Sequence, residues 1–359
     1  MKNPMNYAKA TKYLLLTLIL SATICRAQQS LFAQPGAQPN IFMGADGNVE
    51  MVFGKGNAIY YSFSKDGGQS FASPVLVDSL RGLHLGFSRG PQIASTPRSV
   101  VITAIDKTGD LYAYTLDRKL GRWRPRQRVN DVAGVAEEGF NALASDGEGK
   151  FFVTWLDLRG DQKNKIFGAT STDSGQAWSR NQLVYRSPDS TVCECCQPSA
   201  TMQGEKVYVM FRNWLDGARN MYVATSLDGG QTFQPPMKMG NGSWKINACP
   251  MDGGGISASS DGLTTVWRRE KELYLSKPGE AEQPIASGRN ASVATSGGST
   301  FVVWQDQSGV WFRPPGGREP KNLGSGRFPR VVALTDGQAF CVWEDGESIK
   351  GKVLDNADK

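Results

Sequence analysis

The stretch Ser64-Lys65-Asp66-Gly67-Gly68-Gln69-Ser70-Phe71 decides the fold, because closely matching copies of it recur along the chain. Two copies are Ser171-Thr172-Asp173-Ser174-Gly175-Gln176-Ala177-Trp178 and Ser226-Leu227-Asp228-Gly229-Gly230-Gln231-Thr232-Phe233, and a degenerate copy spans residues 115–123. The copies start at residues 64, 115, 171 and 226, which are 51, 56 and 55 residues apart. A period of about 50 residues is typical of one four-stranded blade with its loops, so the sequence predicts a β-propeller.

Each copy lies between two apolar strands and therefore predicts a hairpin turn. In such a turn the Ser and Asp side chains satisfy local backbone N–H groups, the Gly adopts positive φ and the last aromatic residue packs under the hairpin. Because the same residues recur in every copy, a catalytic role for the aspartates is disfavoured. We assign the structural role to Ser64, Asp66, Gly68, Phe71, Ser171, Asp173, Gly175, Trp178, Ser226, Asp228, Gly230 and Phe233.

Two further strands recur with the same period. One tends to end on an aromatic residue, as in residues 151–155 and 263–267, and a strand of small residues precedes it, as in residues 141–144 and 255–258. Counting these pairs gives seven units. The sequence therefore predicts an all-β propeller of four-stranded antiparallel blades, with six blades as the alternative, in a single domain over residues 28–359. The last unit lacks an outer strand, which residues 29–33 can supply to close the ring.

The first 27 residues have the pattern of a secretory signal peptide. Three lysines precede an apolar run over residues 13–24, and Cys25-Arg26-Ala27 places small residues where a signal peptidase cuts. We expect Sec-type export to the periplasm or the medium, with a lipoprotein acylated at Cys25 as the weaker alternative. The run is short for a membrane helix, and no later segment reaches the roughly 20 apolar residues required, so we expect no transmembrane segment.

The charge balance and the single histidine limit the partners and the reactions that the sequence allows. The leader holds four basic residues and no acid, so its removal lowers the net charge from +6 to +2, and we expect no nucleic-acid partner. The single histidine, His84, excludes mechanisms and zinc sites that need two histidines. Any activity must therefore use carboxylates, arginines, tyrosines or cysteines.

The boxes at blade spacing resemble those of the sialidase-like superfamily of Asp-box, or BNR-repeat, β-propellers, and the resemblance covers nearly all of residues 36–355. Family members are typically six-bladed and include both enzymes and non-enzymatic propellers. In the enzymes three arginines clamp a substrate carboxylate, a Tyr backed by a Glu is the nucleophile, and an Asp is the acid/base. Those enzymes open the first blade with Phe/Tyr-Arg-Ile-Pro, whereas this chain has Gln38-Pro39-Asn40-Ile41. No catalytic residue is therefore carried over.

The loops around the innermost strands line the mouth of the channel, where propellers usually bind ligands. A ring of arginines with interspersed acids suits an anionic or polyhydroxylated ligand, although mutual pairing of these charges is the alternative. The leading hypothesis is a secreted propeller that binds an extracellular glycan or a small anionic ligand, and an exo-sialidase is the first alternative. The ligand-binding candidates are Arg89, Glu138, Arg159, Arg212, Asp252, Arg268, Arg289 and Arg327.

Four cysteines mark a second candidate site, because Cys193, Cys195 and Cys196 precede the innermost strand of the fourth unit and Cys249 precedes that of the fifth. In an exported protein we expect two disulfides here, one of them joining Cys249 to the triplet. The alternative is a copper or zinc site, with His84 or Glu194 as an extra ligand, in a metal- or redox-linked periplasmic propeller. No other cofactor is expected. Cys341 is predicted to be an unpaired core residue.

Overall fold

The computed structural model describes residues 32–189, 191–335 and 337–355, which form seven antiparallel sheets around a central channel. The predicted all-β propeller and its seven units are confirmed, and the six-bladed alternative is wrong. The leader predicted over residues 1–27 lies outside the described residues. In the described part of the chain the sole helix is the 3₁₀ turn Pro315–Gly317, and no helix there has the length and apolar character that a membrane span requires.

The first described strand is β1 (Phe32–Pro35), which belongs to the last blade. The first blade contains β2 (Ala37–Met43), β3 (Val49–Lys55), β4 (Ala58–Ser64) and β5 (Val75–Ser79). The second contains β6 (Gln92–Ser95), β7 (Ser99–Ile105) and β8 (Leu111–Asp117), whose outer edge pairs with both β9 (Arg122–Trp123) and β10 (Gln127–Arg128). The third contains β11 (Asn141–Ser145), β12 (Phe151–Asp157), β13 (Lys165–Ser171) and β14 (Gln182–Tyr185).

The fourth blade contains β15 (Ser199–Gln203), β16 (Lys206–Leu215), β17 (Ala218–Ser226) and β18 (Met237–Lys238). The fifth contains β19 (Gly255–Ser259), β20 (Gly262–Arg269), β21 (Glu272–Ser276) and β22 (Gln283–Ser287). The sixth contains β23 (Arg289–Ser296), β24 (Ser299–Asp306), β25 (Gly309–Arg313) and β26 (Lys321–Gly324). The seventh contains β27 (Arg327–Ala333), β28 (Ala339–Asp345) and β29 (Ser348–Leu354), completed by β1.

The ring closes through strands from the two ends of the described chain. Strand β1 pairs antiparallel with β29, from Phe32 opposite Gly351 to Pro35 opposite Ser348. The predicted closure is confirmed, although β1 continues to Pro35 rather than ending at residue 33, and residues 29–31 lie outside the described residues. Because β1 covers β29, the last blade does not expose that edge to other chains.

Alternate side chains of the second strand in a blade pack on opposite neighbours, as the two-residue period of a strand requires. In β12, Phe151, Val153 and Trp155 join a core cluster with the second blade. Phe152 and Leu156 point the other way and join a cluster with the fourth blade. The core is therefore a series of seams between blades, which hold the innermost strands in place around the channel.

The Ser and Asp side chains of the boxes bond to the backbone of their own turn. In the fourth blade, Gly230 N donates to Ser226 Oγ at 2.8 Å and Thr232 N donates to Asp228 Oδ1 at 2.9 Å. The other two boxes repeat the first of these contacts, from Gly68 N to Ser64 Oγ at 2.8 Å and from Gly175 N to Ser171 Oγ at 2.9 Å.

Each box also packs against the preceding blade. The ring of Phe233, in the fourth blade, lies 5.7 Å from that of Phe152 in the third, and Trp178 packs on the cluster between the third and second blades. The Phe71 ring of the first blade lies 5.4 Å from that of Phe340 in the seventh. The boxes therefore contribute to the seams as well as to their own turns.

Candidate functional site

The central channel encloses a cavity of about 470 Å³ lined by the seven innermost strands. Much of its wall consists of small side chains, including Ala144, Ala200, Ser257, Ala294 and Ala333. The loops that open these strands surround one mouth, so the candidate residues of the sequence analysis lie around that mouth. An open cavity with a few polar groups is the usual form of a small-ligand site.

Polar side chains form a collar where the innermost strands begin, which we call the amide collar: Asn40, Gln92, Gln197 and Asn290. Asn40 Nδ2 donates to Gln92 Oε1 at 3.1 Å. Gln197 Nε2 donates to the carbonyl oxygen of Asn141 at 3.0 Å, and its Oε1 accepts a 2.7 Å hydrogen bond from Nη2 of Arg330. The collar therefore offers fixed amide groups at the level of the mouth.

Arg330 is the only charged residue among the described residues that line the channel. No carboxylate of the described residues forms an ion pair with it, and burial lowers the pKa of its guanidinium to about 10. A desolvated cation without a counter-charge is costly to maintain. The channel therefore has a positive centre that an anionic group would stabilise.

Two arginine candidates at the mouth are paired with carboxylates, Arg89 with one from the next blade and Arg327 with one on the neighbouring strand of its own blade. Arg89 Nε donates to the carbonyl oxygen of Glu138 at 2.6 Å, and Arg89 Nη2 is 4.0 Å from Glu138 Oε2. Burial lowers the pKa of Arg89 and raises that of Glu138. Arg327 donates from Nε to Glu344 Oε1 at 2.9 Å. Both guanidiniums are therefore already engaged by protein groups.

Arg159 is held by two aspartates rather than directed into the channel. Its Nε and Nη2 donate to the two carboxylate oxygens of Asp157 at 2.9 and 2.8 Å, and its Nη1 donates to Asp131 at 2.8 Å. The guanidinium also stacks on the Phe167 ring at 4.1 Å. The bidentate contact with Asp157 fixes the guanidinium, and the hydrogen bond to Asp131 ties the loop after β12 to the loop after β10.

The remaining four candidates form a group around Asp252, in which Asp252 and Arg212 are each 1% exposed and Arg268 and Arg289 are half-buried. Arg268 Nε lies 2.8 Å from Asp252 Oδ2, and Arg212 donates to the backbone oxygens of Asp252 and Arg268. Arg289 Nη2 donates to the carbonyl oxygen of Met251 at 3.2 Å. Desolvation raises the pKa of Asp252, and the three arginines oppose that shift. These residues brace the loops of the fourth, fifth and sixth blades.

The cysteines contain one disulfide, which joins Cys195 to Cys249. The expectation of two disulfides is corrected, because Cys193 and Cys196 are free thiols with their sulfur atoms 3.3 Å apart. The hydrogen bond between Cys193 and Cys196, together with the charges of Arg219 and Arg212, lowers the pKa of Cys193 to about 7. The Cys196 pKa is raised, chiefly by burial.

The suggested extra ligands do not join the sulfur atoms. Glu194 is directed to Arg219, with 3.4 Å between Oε2 and Nη1. His84 is absent from the group of described ligand atoms that lie within 4.8 Å of one another, which contains the three cysteines of the triplet. Cys341 is a buried free thiol in β28, as predicted.

The Tyr–Glu pair expected of a sialidase-type site is absent from the mouth in the described part of the chain. A buried pair does exist, in which the Tyr61 hydroxyl donates to Glu50. It lies at the opposite face, where Arg118 contacts both Glu50 and Asp46 of the β2–β3 turn. Burial raises the pKa of Tyr61, which makes its phenolate unfavourable.

Arg330 and the amide collar are not among the residues predicted from the sequence, because that prediction rests on the loops around the strands rather than on the first residues within them. A sequence pattern could have identified three of these residues. A polar residue directly follows a proline at the start of three innermost strands, in Pro39-Asn40, Pro91-Gln92 and Pro329-Arg330.

The family model of the BNR repeat-like domain matches residues 107–286. Among solved structures the chain is similar to a protein of unknown function from Dyadobacter fermentans, with 14% identity, a TM-score of 0.53 and coverage of 89% of this chain and 94% of that chain. It is also similar to the β-propeller domain of the Trilobed protease from Pyrococcus furiosus, with 12% identity, a TM-score of 0.53 and coverage of 91% and 97%.

A third similar structure is the α-L-arabinofuranosidase Arb93A from Fusarium graminearum in complex with an iminosugar inhibitor, with 12% identity, a TM-score of 0.50 and coverage of 89% and 93%. At these identities the similarity shows the fold alone. No curated protein matches the chain.

Proposed function

The chain belongs to the BNR repeat-like domain family, and from this premise we propose that it is a binding propeller for an anionic, hydroxyl-rich ligand, such as an acidic extracellular glycan, in the mouth of its channel. The observation that carries the proposal is Arg330, the only charged side chain on the channel wall of the described residues. A ligand carboxylate would supply the counter-charge that the protein does not provide.

The amide collar would recognise the rest of such a ligand. Sugar hydroxyls both donate and accept hydrogen bonds, and side-chain amides offer a carbonyl oxygen and an NH₂ group for each role. The arabinofuranosidase among the similar structures makes carbohydrate the first ligand class to test.

The same geometry gives no support for the sialidase alternative. Arg89 and Arg327 are engaged by Glu138 and Glu344 instead of forming a free carboxylate clamp. The paired tyrosine, Tyr61, is buried at the other face. Binding without hydrolysis is therefore the function that we propose.

We also propose that binding takes place outside the cytoplasm. The leader pattern in residues 1–27 supports export, and the Cys195–Cys249 disulfide suits an oxidising compartment. Mass spectrometry of the protein from the periplasm or medium should then find a chain that begins at Gln28. A chain retaining its first 27 residues would contradict export.

Calorimetric titration with N-acetylneuraminic acid, methyl glucuronide and uncharged methyl glucoside tests the ligand class. We expect the acidic sugars to bind and the neutral sugar to bind more weakly. Arg330→Met should weaken acid binding by about 10- to 100-fold, the loss expected for a charge-assisted hydrogen bond of about 1.5–3 kcal/mol. Arg126→Met is the matched control, because Arg126 is an exposed arginine paired with Asp78 outside the channel.

Two results would contradict the proposal. Preference for the neutral sugar would remove the role of the positive centre. Loss of binding in Arg327→Met but not in Arg330→Met would place the ligand on the rim rather than in the channel.

A further inference from the structure

Four cysteine sulfur atoms converge where the loops before β15 and β19 meet. The Cys193 Sγ lies 3.3 Å from that of Cys196 and 3.7 Å from that of Cys195, and the Cys195 and Cys196 atoms are 3.9 Å apart. Cys249 joins the group through its bond to Cys195. The three sulfurs of the triplet are buried, with exposed fractions of 1%, 9% and 2% for Cys193, Cys195 and Cys196.

These separations match those of a metal–thiolate centre. Zinc–sulfur bonds are about 2.3 Å, so neighbouring sulfur atoms of a tetrahedral site lie about 3.8 Å apart. The three distances of the triplet, from 3.3 to 3.9 Å, span that value. A four-sulfur site also requires the Cys195 and Cys249 sulfur atoms to separate from bonding distance to about 3.8 Å.

The charges around the cysteines favour a negatively charged centre. Arg219 Nη1 lies 2.9 Å from the Cys193 sulfur atom. A second guanidinium is close to the cluster, because Cys193 N donates to the carbonyl oxygen of Arg212 at 3.0 Å. The Arg212 side chain is 1% exposed and donates to the backbone oxygens of Asp252 and Arg219. Both cations would stabilise thiolates bound to a metal ion.

We propose that Cys193, Cys195, Cys196 and Cys249 form a site for a thiophilic d¹⁰ metal ion, zinc or cuprous copper, which opens when a dithiol reductant cleaves the Cys195–Cys249 bond. Thiolates are the ligands that select these ions. The reductant supplies two electrons and two protons, which convert the disulfide into two thiols while the reductant becomes a disulfide. As the ion enters, the protons of the ligating thiols pass to solvent.

Metal titration of the chain from Gln28 onward tests the proposal, with oxidised protein compared with protein reduced by dithiothreitol and desalted without oxygen. Zinc and cuprous copper are each added in competition with a chromophoric chelator. We expect the reduced protein to bind one ion and the oxidised protein to bind at least about 100-fold more weakly, because the disulfide removes ligands.

Cysteine variants test whether the metal ion binds at this cluster rather than at any free thiol of the protein. Cys193→Ala and Cys196→Ala should each weaken binding by at least about 100-fold, whereas Cys341→Ala should bind as wild type, because Cys341 is a buried thiol in β28 outside the cluster. Protection of the cluster thiols of the wild-type chain from alkylation by the bound ion gives a readout that does not depend on the folding of a variant.

Three results would overturn the proposal: no saturable binding of either ion by reduced protein, equal affinity in the Cys193 and Cys196 variants, or equal alkylation with and without the ion. Rapid exchange of the Cys195–Cys249 bond with free dithiols in the absence of metal binding would instead assign the cluster to thiol–disulfide chemistry. None of these measurements involves a sugar, so they are independent of the proposed ligand site.

Discussion

Replacement of Gly230 by alanine tests whether the Asp box of the fourth blade is part of the seam with the third. Gly230 has a φ of +90°, and a Cβ atom added there would lie 2.6 Å from Phe152 Cδ2 and 2.9 Å from Thr170 Oγ1. Phe152 is fully buried, so its ring cannot move into solvent to relieve the contact. The substitution therefore combines backbone strain with overpacking.

The magnitude follows from these two costs. A residue other than glycine in the left-handed region lowers the free energy of unfolding by about 1–2 kcal/mol. An extra methyl group in a packed core lowers it by about 1–3 kcal/mol. Their sum is about 2–5 kcal/mol. Gly204 is the matched control, because it has a φ of +56° and no atom within 4 Å of its added Cβ. Gly204→Ala should therefore cost only the backbone term, about 1–2 kcal/mol.

Urea unfolding followed by tryptophan fluorescence measures both losses in the free energy of unfolding. If the box packs into the seam, Gly230→Ala is less stable than Gly204→Ala by about 1–3 kcal/mol, the cost of the extra methyl group in the core. Equal losses in the two variants would refute the conclusion that the box packs into the seam, and would leave the box as a local turn alone.

Three further predictions concern charge and sulfur. Asp252→Asn should lower the free energy of unfolding by about 3–5 kcal/mol, because it leaves buried guanidiniums without a counter-charge; a urea titration showing a loss below about 1 kcal/mol would contradict this. Hydrogen bonds from two hydroxyls hold the pKa of Asp228 below its usual range, so its stabilising effect is present above about pH 4 and is lost as pH falls. When the pH is lowered from about 5 to about 3, the Asp228→Asn variant should therefore lose less stability than the wild-type protein. Thermal unfolding at each pH measures the two losses. Equal losses would argue against the hydrogen bonds to the Asp228 carboxylate. In a chain lacking the leader, thiol titration after unfolding without reductant should find three free cysteines, namely Cys193, Cys196 and Cys341. A count of one free cysteine would indicate a second disulfide.

The fold was largely predictable from the sequence because its signals are local and repeated. Each box carries its own turn chemistry, and the strands around it recur at blade spacing, so even the box-less last three units could be counted. The closing strand was placed within two residues of its observed end, since only one segment of the chain was left to fill the outer position beside β29 (Ser348–Leu354).

The side-chain chemistry of the mouth was less predictable, because it depends on partners from other loops. Arg89 meets Glu138 of the next blade, 49 residues further along the chain, which no local pattern encodes. Arg327 meets Glu344 across the β27–β28 hairpin, a pair that depends on the exact register of the two strands. Arg330 shows the opposite case, since its importance comes from the lack of a carboxylate counter-charge among the described residues, which only the surrounding channel wall makes visible.

Ring closure has a consequence for the order in which the chain folds. Strand β1 is the first described strand to be synthesised, and its partner β29 is the last. Six blades draw their strands from continuous segments and can form as each segment becomes available, whereas the seventh must wait for both ends. Until then β1 has no partner, and the first and sixth blades expose the apolar faces that pack on the seventh. The slowest and most aggregation-prone stage of folding should therefore be the interval before the chain reaches Leu354, which makes chaperone protection most valuable late in synthesis.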